Sequence, residues 1–264
     1  SAVVHRLMRI ETPWFKDFQI RLISTLVGVD WSEAASIDTH DYRSFNAFFT
    51  RELKAGARPE DDHPRALVSP SDGRISELGP IDGNSIFQAK GHRYTLQALL
   101  ANDPDCEHWK NGHFYTIYLS PRDYHRVHMP LAGKLQRMTH VPGRLFSVAP
   151  YTVRQVPGLF ARNERVISVF ETEFGPVAQV LVGAMLVSSM ETVWAGQVTP
   201  NDASQVSTTE YDDGPEFSRG EEMGRFNMGS TVILVMPPNA VTRHEGLAGG
   251  DALKLGQRLG MLGN

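Results

Sequence analysis

The sequence predicts an α+β fold, in which N-terminal helices precede a mostly antiparallel β core. Residues 1–35 carry apolar side chains at helical spacing, whereas from about Ala66 onward short apolar runs alternate with Gly, Pro and Asp. One of these runs, residues 231–236, is apolar and largely β-branched and stops at Pro237, which is typical of a buried strand. With 264 residues, the chain is expected to form one domain, residues 1–264.

The N-terminal segment, residues 1–35, predicts a helix with an apolar stripe. Pro13 suits the first turn of this helix and Gly28 suits its end. The apolar side chains at helical spacing are Trp14, Phe15, Phe18, Leu22 and Leu26. Such a stripe could pack on the core of the protein or lie in a membrane interface, with the aromatic rings among the lipid headgroups. A lipid substrate would favour the second interpretation.

The rest of the chain is divided into one short helix and several strands. Ser44 can cap a helix over residues 45–53, in which three phenylalanines share one face. Strands are predicted at residues 66–70, 114–119, 165–170, 177–187 and 192–198. The third and fourth form a hairpin. Residues 199–220 are polar and aperiodic, which predicts an exposed loop.

Composition limits the possible functions. Hydrophobic residues make up 41% of the chain and charged residues 21%, as in soluble globular proteins. The net charge of −4 gives no basic surface for nucleic acid, so no nucleic-acid partner is expected. The single cysteine, Cys106, excludes an intrachain disulfide and fits a reducing compartment. No apolar run approaches the roughly 20 residues that span a bilayer.

The stretch that carries the most chemical information ends in Gly229-Ser230, directly before the predicted strand at residues 231–236. Gly229 has no Cβ, so its carbonyl can be approached closely. A serine held at the entrance to a sheet could attack that carbonyl. A lone Gly-Ser pair at a strand start is otherwise most simply interpreted as a turn.

The longer run around this pair resembles the self-processing site of phosphatidylserine decarboxylases; residues 222–233 read EMGRFNMGSTVI. Other stretches are similar to the same family: PSDG at 70–73, YLSPRDYHRVHMP at 118–130, VPGRLFSV at 141–148, SFNAFF at 44–49 and FARNER at 160–165. The resemblance therefore covers residues from about 44 to 233. It implies cleavage between Gly229 and Ser230, giving a large chain, 1–229, and a small chain, 230–264, whose Ser230 becomes a pyruvoyl group.

The same resemblance implies a division of labour among four residues. Asp72, His128 and Ser230 match the residues that perform self-cleavage, and His125 matches the residue that returns a proton to the substrate carbon. Physical chemistry fits these roles, because a neutral histidine can accept the serine proton and a buried carboxylate can orient that histidine. Tyr118 and Ser147 are weaker candidates for binding the substrate carboxylate or the pyruvoyl oxygen.

The expected reaction is decarboxylation of phosphatidylserine to phosphatidylethanolamine and CO₂ through a Schiff base on the covalent pyruvoyl cofactor. The resemblance implies a peripheral enzyme at the cytoplasmic side of the cell membrane, with anionic lipid as partner, and also a homodimer. Two other functions stay open on the residues alone. One is a pyruvoyl decarboxylase for a soluble amino acid, and the other is a β-rich lipid-binding module with an uncut Gly229-Ser230 bond.

Two further interpretations of the candidate residues are disfavoured. A serine hydrolase would keep its nucleophile, and its Gly-x-Ser-x-Gly motif would need glycine where Met228 and Val232 stand. His125 and His128, three residues apart, could bind a metal, but no cysteine or carboxylate has a usual ligand spacing beside them. No metal is therefore expected.

Overall fold

The structure, a computed structural model, describes residues 6–185, 189–201, 203–227 and 230–263. Met228 and Gly229 of the expected cleavage site lie outside the described residues. The helices and 3₁₀ helices found in this part are α1 (Pro13–Val27), α2 (Phe45–Phe49), α3 (Leu96–Leu99), α4 (Pro150–Val153), α5 (Leu159–Arg162) and the 3₁₀ turns Trp31–Glu33, Thr39–Asp41 and Pro104–Trp109. Among the described residues, no helix combines the length and apolar character needed to cross a membrane.

Helix α1 begins at Pro13 and ends at Gly28, as predicted. Gly28 adopts the left-handed conformation, with φ of 75°, and its N–H donates to the carbonyl of Ser24. The buried apolar contact of α1 is made by Ile20, which joins Tyr42 and the phenylalanines of α2 in a small N-terminal core.

The apolar stripe of α1 faces away from this core. Its exposed side chains are Trp14 (73% exposed), Phe18 (57%), Leu22 (44%) and Leu26 (75%). Single exposed apolar residues are common, but four on one helix face form a contiguous feature of the kind that marks an interaction surface. The stripe therefore does not pack on the core of this chain.

The β core contains eighteen strands in the described residues. The first nine are β1 (Ala66–Val68), β2 (Gly73–Pro80), β3 (Ser85–Ala89), β4 (His92–Thr95), β5 (His113–Leu119), β6 (Arg126–His128), β7 (Gly133–Val141), β8 (Arg165–Glu171) and β9 (Val177–Val182). The remaining nine are β10 (Met190–Thr192), β11 (Gly196–Thr199), β12 (Ser207–Glu210), β13 (Glu216–Phe217), β14 (Glu222–Phe226), β15 (Ser230–Met236), β16 (Val241–Arg243), β17 (Ala252–Leu253) and β18 (Arg258–Leu262).

A nine-stranded sheet forms the centre of the molecule, in the order β12-β7-β8-β9-β15-β5-β2-β17, with β13 also beside β7. Strand β15 lies between β9 and β5, and all seven of its residues are buried. Its side chains enter both larger hydrophobic cores: Val232 and Val235 belong to one, Leu234 and Met236 to the other. A strand covered on both faces requires the uninterrupted apolar run that the sequence shows.

Three smaller sheets flank this centre, in the orders β11-β10-β14-β6, β1-β18-β16 and β3-β4. All strand pairs in the described residues are antiparallel. The predicted α+β class, with N-terminal helices before a mostly antiparallel β core, is therefore confirmed. The four-stranded sheet matters for function, because it sets the strand that precedes Ser230 beside the strand that carries His128.

Some predicted boundaries were wrong. Helix α2 ends at Phe49 instead of residue 53, because the following chain is extended: Ala35 N–H donates to the carbonyl of Glu52, and Leu53 forms a β-bridge with Ala34. The capping prediction holds, since Ser44 Oγ accepts from Ala47 N–H. Strand β9 ends at Val182 rather than residue 187, and residues 186–188 lie outside the described part.

The region from residue 192 to 220 contains more β structure than predicted. The single strand predicted at 192–198 is wrong: residues 193–195 form a turn between β10 and β11, in which Ala195 N–H donates to Thr192 Oγ1 and the chain re-enters β structure at Gly196, with φ of 65°. The predicted loop 199–220 contains β12 and β13, which both pair with β7. Polar, exposed residues such as those of β12 adopt a strand here because the neighbouring edge of β7 supplies backbone partners.

Candidate active site

Ser230 is the first residue of β15 and is fully buried. It is paired opposite Leu119, the last residue of β5. Its Oγ has no hydrogen-bond partner among the described residues. A buried hydroxyl is normally hydrogen-bonded, and exceptions often mark functional groups. The structure therefore places a desolvated oxygen directly after the expected cleavage position.

His125 is also fully buried and has one unpartnered ring nitrogen. Its Nδ1 lies 2.8 Å from the carbonyl oxygen of Asp123, which can only accept, so Nδ1 carries the proton. Its Nε2 has no partner in the described residues, and its ring packs on Phe49 with 4.1 Å between centroids. Burial lowers the pKa of His125 to about 3, so the ring is neutral at neutral pH with an available lone pair on Nε2.

His128 is held at both ring nitrogens. Nδ1 donates to the carbonyl of Gly220 at 2.8 Å, so Nε2 is the basic nitrogen, and it accepts from the hydroxyl of Tyr124 at 3.1 Å. Its backbone N–H donates to the carbonyl of Pro70 at 2.8 Å, next to the segment that carries Asp72. Burial is the largest effect on the pKa of His128 and lowers it below the ordinary value. The ring is thus held in its neutral form, with Nε2 as the unprotonated nitrogen.

Asp72 is buried in an ion-pair network. Arg58 donates to its two oxygens at 2.5 and 2.7 Å, and Leu255 N–H donates to it at 2.9 Å. Arg58 also bonds Glu33 at 2.6 Å, and Lys254 lies 3.7 Å from Asp72. The sequence predicts that the carboxylate of Asp72 orients His128. In the structure, the Nδ1–H of His128 instead donates to the carbonyl of Gly220, and the carboxylate of Asp72 accepts hydrogen bonds from Arg58.

The sheet topology explains why these distant residues meet. Strand β5 lies between β15 and β2, so Ser230 at the start of β15 and Asp72 just ahead of β2 approach the same end of β5. Gly73 makes this approach possible: its φ is +151°, and a Cβ there would lie 2.5 Å from the carbonyl oxygen of Tyr118. The chain that leaves β5 then carries His125, whose carbonyl accepts from Phe226 N–H at 3.0 Å.

A cavity of about 360 Å³ opens beside this end of β5. Asp72, Tyr118 and Tyr124 line it. Its remaining polar wall is rich in charge of both signs, including the cationic side chains Arg51, Arg58, Arg74, Arg122 and Lys254. The cationic side chains can bind an anionic group, and the carboxylates that lie among them can bind a cationic group.

The two weaker sequence candidates are placed differently. Tyr118 lies in β5 opposite Thr231 of β15 and lines the cavity, and burial raises the pKa of its hydroxyl. Ser147 is half-buried, accepts from Ala149 N–H at 3.3 Å and is not part of the cavity wall. Tyr118 thus shares a cavity wall with Asp72, and Ser147 does not line that cavity.

Sequence reasoning missed Arg58, Tyr124 and the carbonyl of Gly220. Tyr124 had a usable signal, since it lies between the cavity and a histidine four residues later in the same motif. Arg58 and Gly220 had none, because they lie in irregular segments far from their partners along the chain. In the part of the chain that the structure describes, no three His, Cys, Asp or Glu residues form a group that could hold a metal ion.

Comparison with known proteins gives one consistent result. A family model described as phosphatidylserine decarboxylase matches residues 45–261. The phosphatidylserine decarboxylase proenzyme of Alkalilimnicola ehrlichii is 58% identical over 238 residues, which cover 89% of this chain and 83% of that protein. The proenzyme of Pseudomonas fluorescens is 52% identical, covering 94% and 88%. That of Xanthomonas axonopodis pv. citri is 49% identical, covering 98% and 93%.

Proposed function

This chain belongs to the phosphatidylserine decarboxylase family of pyruvoyl-dependent lyases, and on that premise we propose that it matures by cutting itself between Gly229 and Ser230. The mature enzyme then decarboxylates phosphatidylserine to phosphatidylethanolamine. The observation that carries the proposal is the buried Ser230 Oγ, which has no partner in the described residues and opens the central strand. The word proenzyme in the relatives' names fits a chain that must be processed.

The first stage is an N→O acyl shift. Ser230 Oγ gives its proton to a histidine and attacks the carbonyl carbon of Gly229, and the C–N bond between Gly229 and Ser230 breaks to leave an ester and a free amine. Loss of the Cα proton of Ser230 then expels the Gly229 carboxylate from Cβ. Water replaces the nitrogen, ammonia leaves, and a pyruvoyl group remains on the small chain.

We assign the base of this stage to His128. Its Nε2 is the basic nitrogen and its pKa is lowered by burial, so it is neutral at physiological pH. The hydroxyl of Tyr124 donates a hydrogen bond to Nε2 of His128, and this bond must break before Nε2 can accept the serine proton. Asp72 contributes a negative charge that Arg58 and Leu255 N–H hold in place beside the cavity.

The site suits a pyruvoyl group, because Ser230 is buried and because His125 Nε2, on the segment that follows β5, is buried without a partner in the described part. When present, the group supplies an electron sink for the carbanion left by CO₂. His125 returns a proton to the substrate carbon. Since burial keeps its ring neutral, it can act as a donor only after the negative substrate raises its pKa.

We assign headgroup binding to the charged cavity and membrane docking to helix α1. The cavity's cations can hold the phosphate and carboxylate of the headgroup, with Tyr118 at its wall. The outward stripe of α1 can enter the headgroup layer of an anionic membrane, which makes the protein peripheral. This stripe favours a phospholipid over a soluble amino acid, for which no exposed apolar helix face would be needed.

Self-cleavage is tested with Ser230→Ala on a denaturing gel, alongside CO₂ release from phosphatidylserine. The wild-type protein should run as two chains and release CO₂, whereas the alanine variant should run as one chain and release none. Decarboxylation by the alanine variant would exclude the pyruvoyl mechanism. Release of CO₂ from free serine but not from the phospholipid would shift the assignment to a soluble substrate.

The two histidines are separated by the same pair of measurements. His128→Ala and Asp72→Ala should stay uncut, whereas His125→Ala should be cut and turn over about 10²-fold or more slowly. Because the base must be neutral and burial lowers the pKa of His128, the cleavage rate should stay constant from pH 7 to below 6.5 and fall only at lower pH. A cut, active His128→Ala together with an uncut His125→Ala would reverse the roles.

Membrane docking is tested by replacing Trp14 and Phe18 with Glu and measuring sedimentation with phosphatidylserine-containing vesicles. Each exposed ring can contribute up to about 1.5–3 kcal/mol when buried, so the double variant should bind vesicles at least about tenfold more weakly. Self-cleavage should persist. Val206→Glu, which changes an exposed apolar residue outside α1, serves as the control. Equal binding by all three proteins would remove α1 from the docking surface.

A further inference from the structure

Asn227 lies three residues before Ser230 and is almost fully buried. Its Oδ1 accepts from Asn46 Nδ2 at 2.8 Å, and its Nδ2 donates to Glu191 Oε1 at 2.8 Å and to Ser189 Oγ. Its backbone N–H donates to the carbonyl of Ser189 at 2.9 Å. The chain just ahead of the cleavage position is thus fixed by two separate segments.

These partners are themselves held in place. Asn46 belongs to helix α2, and its N–H donates to the carbonyl of Met8 at 2.9 Å. Glu191 lies in β10, and its carboxylate forms ion pairs with two arginines: Oε2 lies 3.3 Å from Arg225 Nε, and Oε1 lies 3.8 Å from Arg9 Nη2. We call Asn46, Ser189, Glu191 and Asn227 the anchor network. It joins the N-terminal helical layer to the strand that enters the processing site.

The chain after the cleavage position is held as well, because Ser230 begins β15, which lies between β5 and β9. On the upstream side, Phe226, next to Asn227, donates its N–H to the carbonyl of His125. The residues on either side of positions 228 and 229 are therefore both held by hydrogen bonds or strand pairing. Each residue spans at most about 3.6 Å, so holding Asn227 and Ser230 limits how far the short link between them can reach.

We propose that Asn46, Glu191 and Asn227 are positioning residues for self-processing. They hold the chain upstream of the bond so that the Gly229 carbonyl stays in reach of Ser230 Oγ. The inference rests on the proposed self-cleavage and adds to it a role for the N-terminal layer. In an intramolecular attack the rate depends steeply on geometry, and a displacement of about 1 Å can cost about 10²-fold.

This role is confined to the precursor. Once the bond between residues 229 and 230 is broken, the network holds only the end of the large chain and no longer constrains Ser230. Loss of a network hydrogen bond should therefore slow maturation without slowing turnover by molecules that have matured. A residue that merely stabilises the fold would not separate these two rates.

The experiment follows cleavage over time after pulse-labelled synthesis of the full chain in a cell-free system. Asn227→Ala should slow cleavage by about 10²-fold, with smaller delays for Asn46→Ala and Glu191→Ala. Glu191→Gln keeps the acceptor oxygen for Asn227 and should recover much of the rate. Decarboxylation per small chain, measured once cleavage is complete, should equal that of the wild type.

A matched control is Gln88→Ala. Gln88 is a buried amide that bonds Val153 O at 2.7 Å, Val156 O at 2.8 Å and Leu159 N–H at 3.0 Å, all outside the network. This variant should lose thermal stability and still cleave at the wild-type rate. Cleavage delays that simply follow the melting temperature across all variants, Gln88→Ala included, would overturn the positioning role.

Hydroxylamine identifies the affected step, because it cuts the ester that the acyl shift forms. If the network positions the carbonyl for attack, hydroxylamine should not restore cleavage in Asn227→Ala. Restored cleavage would show that the ester forms normally and would overturn the inference, as would wild-type cleavage rates in all three alanine variants. A wild-type chain that stays uncut would instead refute the proposed function itself.

Discussion

The antiparallel pairing of β15 between β5 and β9 is the constraint on which the rest of the structure depends. It buries all seven residues of the strand, and the first of them is Ser230. Burial removes the serine from water and fixes it relative to the end of β5, from which the histidine segment continues. The same pairing supplies the central part of both large hydrophobic cores, so the site cannot shift without loss of packing.

Burial also explains the electrostatic character of the site. Ser230 Oγ and His125 Nε2 are buried without partners in the described residues, and each such group costs about 1–3 kcal/mol. His128 and Asp72 are in contrast fully engaged, by Gly220 and Tyr124 in one case and by Arg58 in the other. The proposed site thus combines two firmly held side chains with two buried atoms that have no partner in the described residues.

Much of this could be predicted from sequence, and the exceptions have physical reasons. The limits of α1, the cap of α2 and the buried strand β15 follow from local signals at Pro13, Gly28, Ser44 and the apolar run. Periodicity marks a stripe on α1 but cannot say that the stripe faces outward. Strand β12 forms because it pairs with the edge of β7, and Arg58 contacts Asp72 only in the folded chain. Neither feature can be predicted from the local sequence.

In the proposed mechanism Ser230 is consumed to make the group that performs the reaction. The intact mass of the small chain tests this most directly. We expect a chain that starts at residue 230, resists sequencing from its N-terminus and is lighter by one molecule of ammonia than the same segment with an intact serine. A small chain that begins with a free serine would mean simple hydrolysis and would contradict the account.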